Sequence, residues 1–163
     1  MSDSGGSSST LLFRDFPSHL RFSTEEKQTL RRFARTASAR VVNGRVFTCV
    51  ISDDRELRQL NSTFLGHDYT TDVLSFPAGE TGDDLGEIII SAERAEVQAG
   101  EFGHDRTNEI KILMLHGLLH LAGMDHERDR GEMSRAENKW REELGLPSAL
   151  IARTRAHARS STR

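Results

Sequence analysis

The sequence predicts an α+β fold, an α/β sandwich in which a small mixed sheet is covered by helices. Two observations predict this class: short β-branched segments of nearly continuous apolar character, and longer segments whose apolar residues recur at helical spacing. A length of 163 residues suits one domain of this kind. We expect the domain to span residues 11–147, between a disordered Gly/Ser-rich tail at 1–10 and a basic C-terminal tail at 148–163.

The strands are predicted from short apolar runs bounded by turn residues. Residues 45–52 are nearly continuous in apolar character, which suits a strand covered on both faces. Residues 71–76, stopped by Pro77, and residues 86–91 have similar character, and residues 11–13 could add a short first strand. We expect the three longer strands to share one sheet.

The helices are predicted from apolar periodicity and from capping residues. Ser23 and Glu26 form a potential capping box, in which each side chain accepts a hydrogen bond from a free backbone N–H. Gly66 and Gly123 are placed to end two further helices in a left-handed conformation. The first of these two is expected to begin after Ser52 or Asp53 and the second to span residues 108–122, and two more helices are expected after Ser91 and over residues 133–144.

The composition limits the function classes. A formal net charge of −3 argues against non-specific polyanion binding by the whole surface, although a local basic groove is compatible with it. The single cysteine, Cys49, cannot form an internal disulfide and lies in a predicted strand, so we expect it in the core. The N-terminus lacks signal-peptide features and no apolar run approaches membrane-spanning length, which predicts a cytoplasmic protein without a membrane partner.

Three histidines near the end of one predicted helix form the most informative pattern in the chain. His116 and His120 are four residues apart, so both imidazoles project from one helix face. Gly123 can turn the chain just past the helix end, so that His126 reaches the same ion. Three imidazoles leave the fourth position of a tetrahedral Zn²⁺ open for water, as in catalytic zinc sites. We therefore predict one zinc ion on these histidines, at the end of a central helix.

Two other interpretations of the histidines are a structural zinc site and the zinc site of a peptidase. A structural zinc usually closes with a fourth ligand, commonly cysteine, and here Cys49 lies on a remote strand. The segment also resembles that of metzincin peptidases, in which two helical histidines and a third beyond a glycine bind zinc. Those peptidases have a glutamate directly after the first histidine as general base, whereas this chain has Gly117. Since glycine cannot move a proton, the pattern disfavours peptide hydrolysis.

The segment from His116 to His126 more closely resembles the signature of the YbeY family of rRNA maturation factors, H-G-x-L-H-L-x-G-Y-D-H, with Met124 in place of tyrosine. The resemblance spans about residues 45–145. It includes Leu60-Asn61 with Phe64, Gly66 and Asp68; residues 71–76; residues 85–91; and Met133 with Glu137. It implies a zinc-dependent, single-strand-type endoribonuclease with the three histidines as zinc ligands. It also implies ribosomal RNA and the small ribosomal subunit as partners, with maturation of the 3′ end of the small-subunit RNA as the reaction.

One departure from the family pattern concerns phosphate binding. The family commonly has an arginine directly after the aromatic at the Phe64 position, and this chain has Leu65, which cannot bind a phosphoryl oxygen. Either another cation takes that role, with Arg58, Arg128 and His67 as candidates, or the protein acts mainly as a ribosome-assembly partner. The sequence leaves both interpretations open.

Two carboxylates near these segments also have two interpretations each. Asp125 precedes a predicted ligand and could orient an imidazole or a zinc-bound water in catalysis, or it could fix the backbone of the turn. Asp72 could contact substrate or stabilise the entry of a strand. The basic tail at 148–163 could contact nucleic acid or remain solvated.

Overall fold

The computed structural model of the protein describes residues 8–66, 71–79, 82–125 and 128–147. Within those residues, four β-strands and five α-helices follow one another in mixed order, which confirms the predicted α+β class. One short 3-10 helix, Ser18–Leu20, was not predicted. The other elements are β1 Thr10–Phe13, α1 Thr24–Val41, β2 Val46–Ser52, α2 Asp54–Leu65, β3 Val73–Pro77, β4 Asp84–Ser91, α3 Ala92–Phe102, α4 Arg106–Leu121 and α5 Glu132–Glu143.

The strands form one mixed sheet in the order β1-β2-β4-β3, so the prediction of a shared sheet is confirmed. β1, β2 and β4 are parallel, and β3 is antiparallel to β4 at one edge. β3 begins at Val73 rather than at residue 71 and includes Pro77, which an edge strand tolerates because its missing N–H need not pair. β4 begins at Asp84, ahead of the predicted residue 86, because Asp84 pairs with Val46.

The helix starts follow the side-chain caps that the sequence offers. The predicted capping box is present: Ser23 Oγ accepts from the backbone N–H of Glu26 at 3.0 Å, and Glu26 Oε1 accepts from the N–H of Ser23 at 2.8 Å. Asp53 caps α2, and Gly66 ends it with a φ of 74°. α4 starts at Arg106, earlier than predicted, because Asp105 is its cap.

The helices cover both faces of the sheet. On one face, α1 and α4 pack over Ile51, Ile88 and Ile90. On the other face, α2 packs over Val50 and Ile89. Ten of the 16 residues of α4 are buried, which makes it the central helix of the fold. Only a narrow side of α4 is therefore left to reach solvent or a ligand.

Cys49 lies in the middle of β2 and is fully buried, as predicted. Burial in apolar surroundings raises the pKa of its thiol far above the usual range, because the thiolate would lose its hydration. Within the described ranges, no helix is long and apolar enough to cross a membrane. The predicted C-terminal tail, 148–163, and residues 1–7 of the predicted N-terminal tail lie outside those ranges.

Candidate metal centre

The last turns of α4 bring two of the three predicted ligands together. His116 and His120 project from the same face of the helix, and their Nε2 atoms lie 3.2 Å apart. The two rings stand at 76° to each other, with centroids 4.7 Å apart. Two imidazole nitrogens from successive turns therefore converge on one point at the partly exposed side of α4.

The chain beyond α4 turns as predicted. Gly123 adopts a φ of 102°, a conformation that side-chain-bearing residues rarely adopt. His126, the third predicted ligand, falls in the segment 126–127, which lies outside the described residues. In the residues that are described, no group of three His, Cys, Asp or Glu side chains is arranged to hold a metal ion. Of the three predicted ligands, the structure therefore describes two, His116 and His120.

A carboxylate on α5 orients the first histidine. Glu137 Oε1 lies 2.7 Å from Nδ1 of His116, and its other oxygen, Oε2, accepts a hydrogen bond from Arg141 at 3.1 Å. The Arg141 side chain is 4% exposed and that of Glu137 is 17% exposed, so the contact is shielded from bulk water. When the proton is on Nδ1, where the carboxylate accepts it, the lone pair of Nε2 is directed towards His120 or a metal ion.

The donor set fits zinc. Two nitrogens bound to one tetrahedral zinc, each at ~2.0–2.1 Å, are separated by ~3.3–3.4 Å. The observed separation of 3.2 Å between His116 and His120 is close to that value. A carboxylate hydrogen-bonded to the remote ring nitrogen is the usual outer partner of a histidine ligand. The spacing of the two described histidines and the carboxylate beside them are therefore compatible with two of the four ligands of a tetrahedral zinc site.

Gly117 lies where α4 packs closely against the sheet. A Cβ at this position would lie 2.8 Å from Cγ2 of Ile88 and 3.2 Å from Oγ of Ser75. The Ser75 hydroxyl also donates to the Gly117 carbonyl at 3.3 Å. Position 117 therefore faces the core, and the absence of a side chain allows the helix and its histidines to lie against β3 and β4.

The two candidate carboxylates make structural contacts. Asp125 Oδ2 lies 3.6 Å from Nε of Arg128, and the Asp125 carbonyl accepts from the Arg128 N–H at 3.1 Å. Asp72 accepts from Nε2 of Gln98 at 3.1 Å through its side chain and from the N–H of Ser91 at 3.0 Å through its carbonyl. These contacts are of the turn-fixing kind for Asp125 and of the strand-entry kind for Asp72, and a catalytic role of Asp125 stays a prediction.

The family arginine position lies at the exposed end of α2. Leu65 is 48% exposed there, and Phe64 beside it is 66% exposed with its ring 5.8 Å from that of Phe76. Arg58 lies two turns earlier on the same helix face. Arg128, whose side chain is 89% exposed, is paired with Asp125, and His67 lies outside the described residues.

Sequence reasoning missed the orienting role of Glu137 and the part of Arg141. In the sequence, Glu137 was only one of the positions that match the family. Because 21 residues separate it from His116, no local spacing relates the two side chains. The available signal was the Glu137–Arg141 pair itself. An acid and an arginine four residues apart can pair on a helix. That this pair is shielded from water is shown only by the structure.

Comparison with known proteins agrees with the resemblance seen in the sequence. The family model described as Endoribonuclease YbeY matches residues 18–145. The Endoribonuclease YbeY of Solibacter usitatus (strain Ellin6076) is 50% identical over 156 residues, which are 96% of this chain and 100% of that protein. That of Koribacter versatilis (strain Ellin345) is 48% identical over 138 residues, which are 84% of this chain and 90% of that protein.

A solved structure is also similar. The solution structure of TM1509 from Thermotoga maritima matches with a TM-score of 0.53 and 30% sequence identity, over 83% of this chain and 87% of that one. The fold contains a small mixed sheet and a buried helix that ends in paired histidines. Together with the match to a ribonuclease family over most of the chain, these features define a hydrolase of the endoribonuclease class. The chain belongs to the Endoribonuclease YbeY family.

Proposed function

We propose that this protein is a zinc-dependent endoribonuclease of ribosome biogenesis, which acts in the cytoplasm on ribosomal RNA, notably at the 3′ end of the small-subunit RNA. Family membership supports the ribonuclease activity. The observation that carries the zinc dependence is the 3.2 Å separation of the Nε2 atoms of His116 and His120, backed by the Glu137 carboxylate.

Three histidines, His116, His120 and His126, would hold the ion. Bound zinc supplies a Lewis acid for a phosphoryl or leaving oxygen, or a water whose pKa is lowered towards about 7. Glu137 holds the proton on Nδ1 of His116 and so keeps the Nε2 lone pair directed at the site. Arg141 donates to the second oxygen of Glu137 and fixes the plane of that carboxylate.

The packing of Gly117 supports a nuclease over a peptidase. A zinc peptidase of the metzincin type needs its general base one residue after the first histidine. In this fold that position faces Ile88 and Ser75, so a side chain there would be directed into the core. Phosphodiester cleavage can instead draw on stabilisation of the developing charge by the metal and by cationic side chains.

A second candidate function, a ribosome-assembly factor that docks on the small subunit without cutting, is favoured by one observation. Leu65 occupies the family arginine position, is 48% exposed and offers no hydrogen-bond donor for a phosphate. A neighbouring cation such as Arg58 or Arg128 has to take over phosphate contact if the enzyme cuts.

The test is cleavage of a small-subunit rRNA 3′ precursor by purified, zinc-loaded protein, with His120→Ala as the control. We expect about one zinc per chain by elemental analysis, cleavage that requires His120, and no cleavage of casein. Ribosome association with no cleavage by the zinc-loaded wild type would favour the assembly factor. Peptide cleavage that depends on His120, with RNA left intact, would reject the nuclease proposal.

A further inference from the structure

One described segment of the chain carries basic residues without any acidic residue. Residues 27–45 contain six basic residues and no acidic residue, although the whole chain has 22 basic and 25 acidic residues. The remainder therefore carries 16 basic residues against all 25 acidic ones. A net charge of −3 thus hides a positive surface on α1, and the structure shows how it is arranged.

Three of these cations form a line, which we call the α1 basic stripe: Lys27, Arg31 and Arg35. They are four residues apart, so they follow one side of α1 at steps of ~6 Å. Arg31 and Arg35 are exposed, and across the described parts of the chain no ion pair engages any of the three. Within the described residues, their charges are therefore not neutralised by an ion pair.

The ring of Phe13 on β1 holds the first two cations in place. Nζ of Lys27 and the guanidinium carbon of Arg31 each lie 5.3 Å from the Phe13 ring centroid. That ring is itself packed against Phe22, with centroids 5.1 Å apart. Cation–π contacts of this kind reduce the freedom of long side chains without cancelling their charge, so the stripe is partly preorganised.

A cleft lies beside the same side chains. It has a volume of about 200 Å³, and it is bounded by the start of β1 and by α1. Its lining is Ser9, Thr10, Leu11, Arg31, Ala34 and Arg35. Two guanidinium groups and two hydroxyl groups are donors that suit a phosphate, because arginine presents paired N–H groups in the geometry of phosphate oxygens.

The stripe is separate from the histidines. Glu26, next to Lys27, accepts a hydrogen bond from Arg106, the first residue of α4, so this end of α1 lies beside the start of α4. His116 is ten residues further along α4, a distance of ~15 Å on a helix. The lining of the cleft includes no residue of α4, so the cleft and the histidine pair share no residue.

We propose that the α1 basic stripe and its cleft bind the phosphodiester backbone of a single RNA strand, away from the cutting site. The ~6 Å steps along α1 are comparable to the spacing of consecutive phosphates in one strand. Uncompensated cations in a row, with hydroxyl donors beside them, match a repeating anion without reading its bases. The inference rests on the proposed function in taking RNA as the substrate class. It adds the surface that binds the RNA strand.

The experiment measures binding without cutting. Fluorescence anisotropy with a labelled single-stranded RNA is recorded at about 50 to 200 mM salt, in the His120→Ala background. The test variant replaces Lys27, Arg31 and Arg35 by glutamine. The matched control carries Arg55→Gln, Arg94→Gln and Lys139→Gln, which remove the same charge from α2, α3 and α5. A thermal melt checks folding of both.

Each phosphate contact to a single strand contributes about 0.7 to the slope of log affinity against log salt. The test variant should therefore lose about 2 from this slope and more than about tenfold in affinity at the lowest salt, whereas the control should lose little. If the triple variant does not fold, Arg35→Gln alone should lower the slope by about 0.7.

Several results overturn the inference: no RNA binding, equal losses in the stripe variant and the control, or a polyglutamate peptide that binds the stripe as tightly as the RNA. Its failure is distinguishable from failure of the proposed function. Stripe-dependent binding by a protein that never cuts leaves the inference standing and rejects the nuclease. RNA cleavage by a protein whose RNA binding does not depend on the stripe supports the nuclease and rejects the inference.

Discussion

The Glu137 carboxylate on α5 contacts Nδ1 of His116 on α4 at 2.7 Å, and this contact links two helices at the candidate metal centre. It orients the ring of His116, the first predicted ligand, and favours a proton on Nδ1. Arg141, one turn after Glu137, holds the second carboxylate oxygen at 3.1 Å. The site therefore depends on α5 as well as on the histidine-bearing helix.

Replacing Glu137 by glutamine should weaken zinc binding by about tenfold to a hundredfold, because the amide holds the His116 ring less well and places N–H groups against Arg141. Zinc affinity is measured by competition with a chelator, which is independent of RNA cleavage. Glu143→Gln on the same helix, which breaks only an exposed pair with Arg40, is the control and should bind zinc like the wild type. Unchanged zinc affinity in Glu137→Gln would contradict the orienting role.

Gly117→Ala should destabilise the protein by about 1–3 kcal/mol, because the new methyl group would lie 2.8 Å from Cγ2 of Ile88. Alanine in a helix otherwise gains up to ~1 kcal/mol over glycine. The matched control is Gly100→Ala in α3, where nothing lies within 4 Å of the added atom and stabilisation is expected. Urea unfolding of both variants gives the sign of the change in the free energy of unfolding. Equal changes in the two variants would show that position 117 is not closely packed.

The Arg14–Glu56 pair predicts a pH dependence of stability. The hydrogen bonds from Arg14 hold the pKa of Glu56 below its usual range, and the Ser52 hydroxyl also donates to this carboxylate. The stabilisation is therefore present above the unfolded pKa of about 4.3 and is lost as the pH falls through the lower folded value.

Glu56→Gln should accordingly cost no more than about 1 kcal/mol near neutral pH, since Arg14 is half exposed, and nothing once the pH falls below the folded pKa of Glu56. Urea titrations between about pH 3 and 7 measure the difference from the wild type. Glu101→Gln on the exposed side of α3 removes one charge without breaking a contact described here, and serves as the control. If the stability difference between Glu56→Gln and the wild type stays constant down to the lowest pH, the lowered pKa of Glu56 is contradicted.

Cys49 should resist alkylation in the folded protein. Its thiol is fully buried on β2, so a reagent cannot reach it. Burial also raises its pKa, so little of the reactive thiolate is present. Iodoacetamide at about pH 8 should label it only after denaturation, as mass spectrometry can show. Rapid labelling of the native protein would mean that the sheet opens at β2.

The sequence by itself determined the features that arise from local chemistry. The capping box of Ser23 and Glu26, the Asp53 cap and the left-handed Gly66 and Gly123 follow from side chains within a few residues of one another. Helical spacing likewise placed His116 and His120 on one face, since residues four apart meet on any α-helix.

Tertiary structure decided what depends on residues distant in the chain. The parallel pairing of β1, β2 and β4 and the antiparallel β3 are set by packing of whole faces, and no local spacing encodes them. Glu137 reaches His116 only because α5 packs on α4, and Gly117 is required only because Ile88 lies beneath it. The histidine pair was therefore predictable from periodicity, whereas its supporting contacts arise from long-range packing that a single sequence does not reveal.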